Sequence, residues 1–166
     1  MDVLKYKDAS RDDLPEIVEI YNSTIASRLV TADVEPVSVE SKVGWFNEHS
    51  PDKRPLWIVE NETGETIGWV SFQSFYGRPA YNATVEVSIY LEEAQRGKGY
   101  GKLILKHCIN TAPNYGIKTL LGFIFAHNES SLKLFRGSGF EDWANLPNVA
   151  ELDGVERSLI ILGLRL

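Results

Sequence analysis

Apolar positions along the chain follow two rhythms, and the change from one to the other marks out its elements. At residues 3–7, Leu4 and Tyr6 alternate with Lys5 and Lys7, the period-2 pattern of a strand with one buried face. Ser10 followed by Asp13 resembles a helix start, with Pro15 tolerable in the first turn, and Leu14, Ile17, Val18, Tyr21 and Ile25 then fall on one helical stripe. A second helix is expected from Ser38, carrying Val39, Val43 and Phe46. The middle of the chain is strand-rich. Leu56–Glu60 and residues 66–72 flank Asn61, Glu62, Thr63 and Gly64, a good hairpin loop. In Thr84–Leu91 the residues Val85, Val87, Ile89 and Leu91 share one face, while Thr84, Glu86, Ser88 and Tyr90 share the other. Residues 103–112 read as a helix with Ile104, Leu105, Cys108 and Ile109 inward. Thr119–Phe125 reads as a strand, 130–136 as a short helix and 158–164 as a closing strand. Hairpins come first and a β-α-β segment later, so the expected class is α+β (mixed α/β). No repeat or linker divides residues 1–166, which read as a single domain.

The chain has 166 residues, 43% hydrophobic and 24% charged, the balance of a globular protein that can fold on its own core. Its one cysteine, Cys108, cannot form an internal bridge. The opening residues lack an apolar stretch of signal-peptide length, and no run approaches 18 apolar residues. The expectation is a cytoplasmic protein that does not engage a membrane. A net charge of -6 gives no basic field for nucleic acid, so an anionic ligand needs a local positive site.

That site is present. Gln95-Arg96-Gly97-Lys98-Gly99-Tyr100-Gly101 lies between an expected strand and an expected helix, and Arg96, Lys98, Lys102 and Lys106 fall within a stretch free of acids. Glycines let several backbone N–H groups converge on one anion, and the helix that follows adds the positive end of its dipole. A flexible turn with solvated lysines has the same composition. The motif is not a Walker loop, because the Gly-Lys-Ser/Thr ending is missing, and its place after a hairpin-rich half does not suit a dinucleotide fold.

In this context Arg96-Gly97-Lys98-Gly99-Tyr100-Gly101 resembles the acyl-CoA loop, Arg/Gln-x-x-Gly-x-Gly/Ala, of the GNAT superfamily of N-acetyltransferases. Downstream, Asn128, Ser131 and then Phe140 after Gly139 resemble the later CoA motif of the same superfamily. The resemblance narrows to the phosphinothricin and methionine sulfone acetyltransferase branch. Arg78-Pro79-Ala80-Tyr81, Thr84-Val85-Glu86, Ser88-Ile89-Tyr90, Glu35-Pro36 and Trp45-Phe46 carry it, across most of residues 3–140. Residues 143–157 lack the Gly, Lys and Trp spacing usual in that branch. The resemblance implies a central, mixed, mostly antiparallel twisted sheet flanked by helices, acetyl-CoA as co-substrate, a small-molecule amine as acceptor, and a homodimer. It implies that Ile89, Tyr90 and Leu91 meet the pantetheine arm. Arg96, Gly97, Lys98, Gly99, Tyr100, Gly101 and Lys102 then surround the pyrophosphate, with Asn128 and Ser131 on the pantetheine side.

Acetyl transfer needs a neutral amine, a polarised thioester carbonyl and a proton for the departing thiolate. Free amines hold their protons up to pH values of about 7.7 to 10.4, so a base is useful near neutrality. Glu86 is the candidate base, directly or through water, although a solvated strand face also explains a carboxylate there. A backbone N–H near Ile89 or Tyr90 can serve the oxyanion. Many members of the superfamily place a tyrosine acid where this chain has Phe135, which cannot donate a proton; water, the substrate or Tyr90 is left for that task. Phe75, Tyr76, Arg78 and Tyr81 are the candidate acceptor contacts, with Arg78 and Tyr81 suited to a carboxylate or phosphinate. Trp45 is a further candidate for the same pocket. His49, His107 and His127 have no ligand spacing, so no metal is expected, and Cys108 reads as a core residue. A non-catalytic acyl-CoA-binding module and a protein or peptide N-acetyltransferase remain as alternatives.

Overall fold

The computed structural model describes residues 3–166. Its strands are β1 (Lys5–Asp8), β2 (Leu56–Glu60), β3 (Thr66–Ser74), β4 (Thr84–Leu91), β5 (Thr119–Phe125), β6 (Glu141–Leu152) and β7 (Val155–Arg165). Its helices are α1 (Leu14–Ser23), α2 (Val43–Asn47), α3 (Tyr100–Thr111) and α4 (Glu129–Gly137). All seven strands form one sheet in the order β1-β2-β3-β4-β5-β7-β6. Every neighbouring pair is antiparallel except β4 and β5, which run parallel.

The period-2 pattern of β3 and β4 sorts two cores onto the two faces of the sheet. Val70, Phe72, Val85 and Val87 turn toward α3 and α4, where they pack with Ile104, Leu105, Cys108, Leu132 and Phe135. On the other face Leu56, Ile58 and Trp69 meet Leu14, Ile17, Val18 and Ile20 of α1. The Trp69 indole N–H donates to the carbonyl of Ile17 at 3.1 Å, which fixes α1 across β3. Ser10 and Asp13 form a capping box ahead of α1, satisfying donors that the helix start leaves open.

The elements expected from the sequence are present, with informative departures: the helix expected from Ser38 is a 3-10 turn at Glu40–Lys42 followed by the short α2, which leaves Val39 outside it. β1 begins at Lys5, and Val3 is exposed rather than paired. The stripe through Ile25 is interrupted, because α1 ends at Ser23 and Ile25 lies in a short 3-10 turn. β3 runs two residues further than expected, to Ser74, and α3 begins three residues earlier, at Tyr100. β6 is missing from the sequence reading altogether. Its residues are almost all exposed and do not alternate; it is a strand because β7 pairs with it. Asp153 and Gly154, with φ of 53° and 76°, form the connecting turn, and the Asp-Gly pair is the residue signal that marks such a hairpin. Pro147 is tolerated because β6 is the edge of the sheet.

β3 and β4 approach closely at Gly68, where a Cβ would lie 2.2 Å from the carbonyl oxygen of Tyr90. Gly68→Ala is expected to lower unfolding free energy in urea by about 2 kcal/mol or more through overpacking against backbone. Gly44→Ala in α2, where a Cβ meets nothing within 4 Å, is expected to raise it by up to about 1 kcal/mol.

Candidate active site

The parallel junction at the centre of the sheet is short. β4 pairs with β3 from Val85 to Leu91, but with β5 only at Thr84, Val85 and Glu86. Beyond that point β5 continues its pairing with β7. From Val87 to Leu91 the peptide groups of β4 that turn away from β3 therefore have no strand beside them. Such an edge can accept an extended ligand as an added strand.

Glu86 sits at the fork. The antiparallel register places Gln73 opposite Glu86, Ser71 opposite Ser88 and Trp69 opposite Tyr90, so all six share the α1 face. The Tyr90 ring stacks on Trp69 with centroids 4.5 Å apart and lies 5.2 Å from the ring of Tyr21. The Tyr21 hydroxyl in turn bonds with Thr31 and donates to Asp33, and the Thr31 hydroxyl also faces that of Tyr90. Burial under this aromatic cover pushes the Glu86 carboxyl up to about 7, only partly offset by the Ser88 hydroxyl. A carboxylate with that proton affinity is suited to take a proton near neutral pH. The same burial drives the Tyr90 phenol well above its usual range, so Tyr90 is a poor anion but a competent hydrogen-bond donor.

Ser71 belongs to this face and was not singled out in the sequence. It is 1% exposed, and its hydroxyl has no hydrogen-bond partner among the described residues. Leaving a buried hydroxyl unpaired costs about 1–3 kcal/mol. The available signal was a serine in the middle of an otherwise apolar strand.

The glycine loop is shaped for an anion. Gly97 and Gly99 have φ of 74° and 85°, backbone that side-chain-bearing residues rarely adopt. Gly99 is the N-cap of α3, with no side chain capping the first turn and no acid within it. Its open N–H groups and dipole favour negative charge. Lys102 and Lys106 are exposed along α3 and Tyr100 is half-buried. A Cβ on Gly101 would lie 3.2 Å from Leu134 of α4. Arg96 folds back instead of projecting: its guanidinium donates twice to the carbonyl of Leu91, at 3.2 Å, and to the Ser23 hydroxyl at 2.9 Å. Lys98 donates to Gln95 at 3.3 Å.

Asn128 is buried and its side chain is engaged at both ends. The carbonyl accepts from the Ser131 N–H at 3.2 Å, capping α4, and the amide donates to Leu29 O at 3.1 Å. Beside it His127 bonds with Arg28 O at 2.8 Å, and Arg28 pairs with Asp153 at 2.7 Å. The segment from Arg28 to Asp33 is thus fastened beside the Glu86 face from three sides. Phe135 packs against Phe140, with its ring over Gly122, and presents no polar atom. The fully buried Cys108 thiol is pushed far above its usual range, which leaves it inert.

Phe75, Tyr76 and Tyr81 gather in one aromatic cluster on the β3–β4 loop with Arg78 among them. Tyr76 is 77% exposed with φ of 56°, so it stands at the rim of this cluster. Trp45 packs on Trp69 and His49. The structure therefore brings Glu86, Ser88 and Tyr90 together on one face, and keeps the glycine loop and the aromatic loop as separate groups at opposite ends of β4.

The sheet with its forked parallel junction, the glycine loop at a helix start and the half-buried carboxylate define a class of acyl-transferring proteins. The model of the Acetyltransferase (GNAT) family matches residues 16–140, and the chain belongs to that family. It is 54% identical over 155 residues to the "Putative phosphinothricin acetyltransferase YwnH" of Bacillus subtilis (strain 168), covering 93% of this chain and 94% of that one. It is 29% identical to the L-methionine sulfoximine/L-methionine sulfone acetyltransferase of Pseudomonas paraeruginosa, over 96% of this chain and 93% of that one. Among solved structures, one of a "putative phosphinothricin N-acetyltransferase" superposes with a TM-score of 0.94 at 52% identity, covering 98% of each chain. A phosphinothricin acetyltransferase from Sinorhizobium meliloti in complex with AcCoA superposes with a TM-score of 0.89 at 28% identity, covering 99% of this chain and 88% of that one. The protein is an N-acetyltransferase.

The raised Glu86 carboxyl has a consequence for stability. A carboxyl whose proton affinity rises on folding favours the folded state while protonated, and that contribution is lost as pH climbs through about 7. Glu86→Gln is therefore expected to be more stable than the parent at pH 8, by up to about 3 kcal/mol, with the difference shrinking toward pH 4.5. Urea unfolding at the two pH values checks this; an equal difference at both assigns the carboxyl an ordinary proton affinity.

Proposed function

We propose that the protein transfers the acetyl group of acetyl-CoA to the primary amine of a small amino acid or analogue of the phosphinothricin or methionine sulfone type. The observation that carries this reading is Glu86, a half-buried carboxyl near neutral proton affinity, standing where β4 leaves β5. The relatives named for such acceptors, and the AcCoA complex of a related chain, support it.

In this reading the open edge of β4 at Ile89, Tyr90 and Leu91 holds the pantetheine arm, and the amides of Gly97, Gly99, Tyr100 and Gly101 hold the pyrophosphate. Lys98 and Lys102 add positive charge around it. Acetyl-CoA supplies an activated thioester. Glu86 accepts a proton from the acceptor ammonium, directly or through water, and frees the nitrogen lone pair. A backbone N–H at Ile89 or Tyr90 donates to the carbonyl oxygen as negative charge develops there. The C–N bond forms and the C–S bond breaks without an acyl-enzyme. Phe135 offers no proton and the raised Tyr90 phenol keeps its own, so the thiolate takes one from water or the substrate. Asn128 and Ser131 shape the pantetheine side through the α4 cap, and Arg96 holds the loop against β4. Phe75, Tyr76, Arg78 and Tyr81 receive the acceptor.

Trp143, Leu146, Val149 and Val155 are exposed apolar residues on the β6–β7 hairpin, and they support a homodimer formed through it. Among the described residues no helix is long and apolar enough to cross a membrane. The single buried cysteine supports a cytoplasmic setting.

Acetyl-CoA at 100 times its dissociation constant is expected to add about 2.7 kcal/mol of stability, a rise in Tm of roughly 5 to 10 °C. No shift at millimolar concentration removes the glycine loop from cofactor binding. With methionine sulfone or phosphinothricin as acceptor, Glu86→Gln is expected to cut turnover about 100-fold or more and to leave the thermal shift intact. The parent's kcat/KM is expected to rise with pH through about 7. Binding of acetyl-CoA with no transfer to any amine would make the protein a binding module.

A further inference from the structure

On the Glu86 face, one acid is tied to the site through hydroxyl groups alone. Asp33 ends the segment fastened beside that face and is half-buried. No cation among the described residues pairs with it. Lys42 stands over the Tyr21 ring instead, 5.2 Å from its centroid. Tyr21 donates its hydroxyl proton to the Asp33 carboxylate, and the same oxygen bonds with Thr31. Thr31 is buried; its hydroxyl oxygen also accepts from the Asp33 backbone N–H at 3.3 Å and faces the Tyr90 hydroxyl. The chain thus runs Asp33, Tyr21, Thr31, Tyr90, and its last member stands on the strand that carries Glu86.

Counting protons fixes the direction of every bond in this chain. A carboxylate only accepts, and a hydroxyl has one proton to give. Tyr21 gives its proton to Asp33, so the bond between Tyr21 and Thr31 uses the Thr31 proton. Thr31 then has none left for Tyr90, and Tyr90 donates to Thr31. Burial and the bond to Asp33 push the Tyr21 phenol up to about 12, which keeps the first proton of the series in place. The Tyr90 oxygen is left with its electron pairs free. Glu86 is close enough for its charge to act on this phenol, so both groups bear on the same part of the face.

We propose that Asp33 is a positioning residue for acetyl transfer: it sets the direction of the hydroxyl chain, so that Tyr90 offers electron pairs, and not its proton, to the acceptor nitrogen. A primary ammonium carries three N–H groups. One proton goes to Glu86, and a second N–H donates to the Tyr90 oxygen, which turns the freed lone pair toward the thioester carbon. Asp33 itself touches neither acceptor nor cofactor. The direction of the chain rests on its hydrogen bonds; the nitrogen at its end rests on the proposed transfer. Asp33→Asn is the informative change. An amide N–H can donate to Tyr21, reverse every bond and turn the Tyr90 proton outward.

Steady-state kinetics with methionine sulfone test the assignment. Asp33→Asn is expected to lower kcat/KM for the acceptor about 10-fold and to leave the KM of acetyl-CoA within about twofold. Asp33→Glu, which keeps an end that only accepts, is expected to lose less. In a Tyr90→Phe background Asp33→Asn is expected to cost under about twofold, because the hydroxyl that carries the direction is gone. The same loss with and without the Tyr90 hydroxyl would overturn the role, as would an Asp33→Asn enzyme with the parent's kcat/KM. If Asp33→Asn does not fold, Thr31→Val breaks the chain at its middle and decides in the same way: a loss in the parent that disappears with Tyr90→Phe is expected, and an equal loss in both overturns the role. Absence of transfer to any amine in the parent removes the proposed function alone. The chain is then judged by thermal unfolding of Asp33→Asn, Tyr90→Phe and the double variant. Losses in Tm that fall short of adding up are expected, and additive losses overturn the coupling of Asp33 to Tyr90.

Discussion

Strand β4 is hydrogen-bonded to β3 from Val85 to Leu91 but to β5 for only three residues, and the rest of the molecule is organised around that asymmetry. Parallel strands joined by a helical crossover are ordinarily paired and covered. Here the pairing stops at Glu86, leaving an edge of open peptide groups inside the sheet rather than at its border. The glycine loop and the start of α3 follow immediately from the far end of β4, so the open edge leads to a second set of open N–H groups. One backbone feature thereby sets both an open edge that can accept an extended ligand and the place of the carboxylate at its start.

The polar face of β4 is held at a cost to the fold. Glu86 is half-buried with a raised proton affinity, and Ser71 is buried without a partner. Each is less favourable than an apolar residue of similar size at the same place. Both lie on β3 and β4 near the fork, whereas a large cluster of hydrophobic residues packs under α3 and α4. Such a distribution is expected where a site, rather than the fold, decides the residue type.

Much of this was legible in the chain. The period of β4 placed Glu86, Ser88 and Tyr90 together, and the glycines of residues 97–101 sat between strand and helix as expected. The roles of individual side chains were less legible. Arg96 reads as an anion ligand from its neighbours, yet its guanidinium is taken up by Leu91 and Ser23. Asn128 is tied to α4 and to Leu29, a partner 99 residues away. β6 has no apolar alternation of its own, because as an exposed edge strand it draws its conformation from β7.

Local patterning by itself determined where the chain is extended or helical, which face of each element is apolar, and where backbone needs glycine, since these depend on neighbours within a few residues. Tertiary structure decided where β4 and β5 part and how deeply Glu86 is buried. Those outcomes depend on long-range pairing and on desolvation, and the free energy of a charge or a hydroxyl is set by what surrounds it in space.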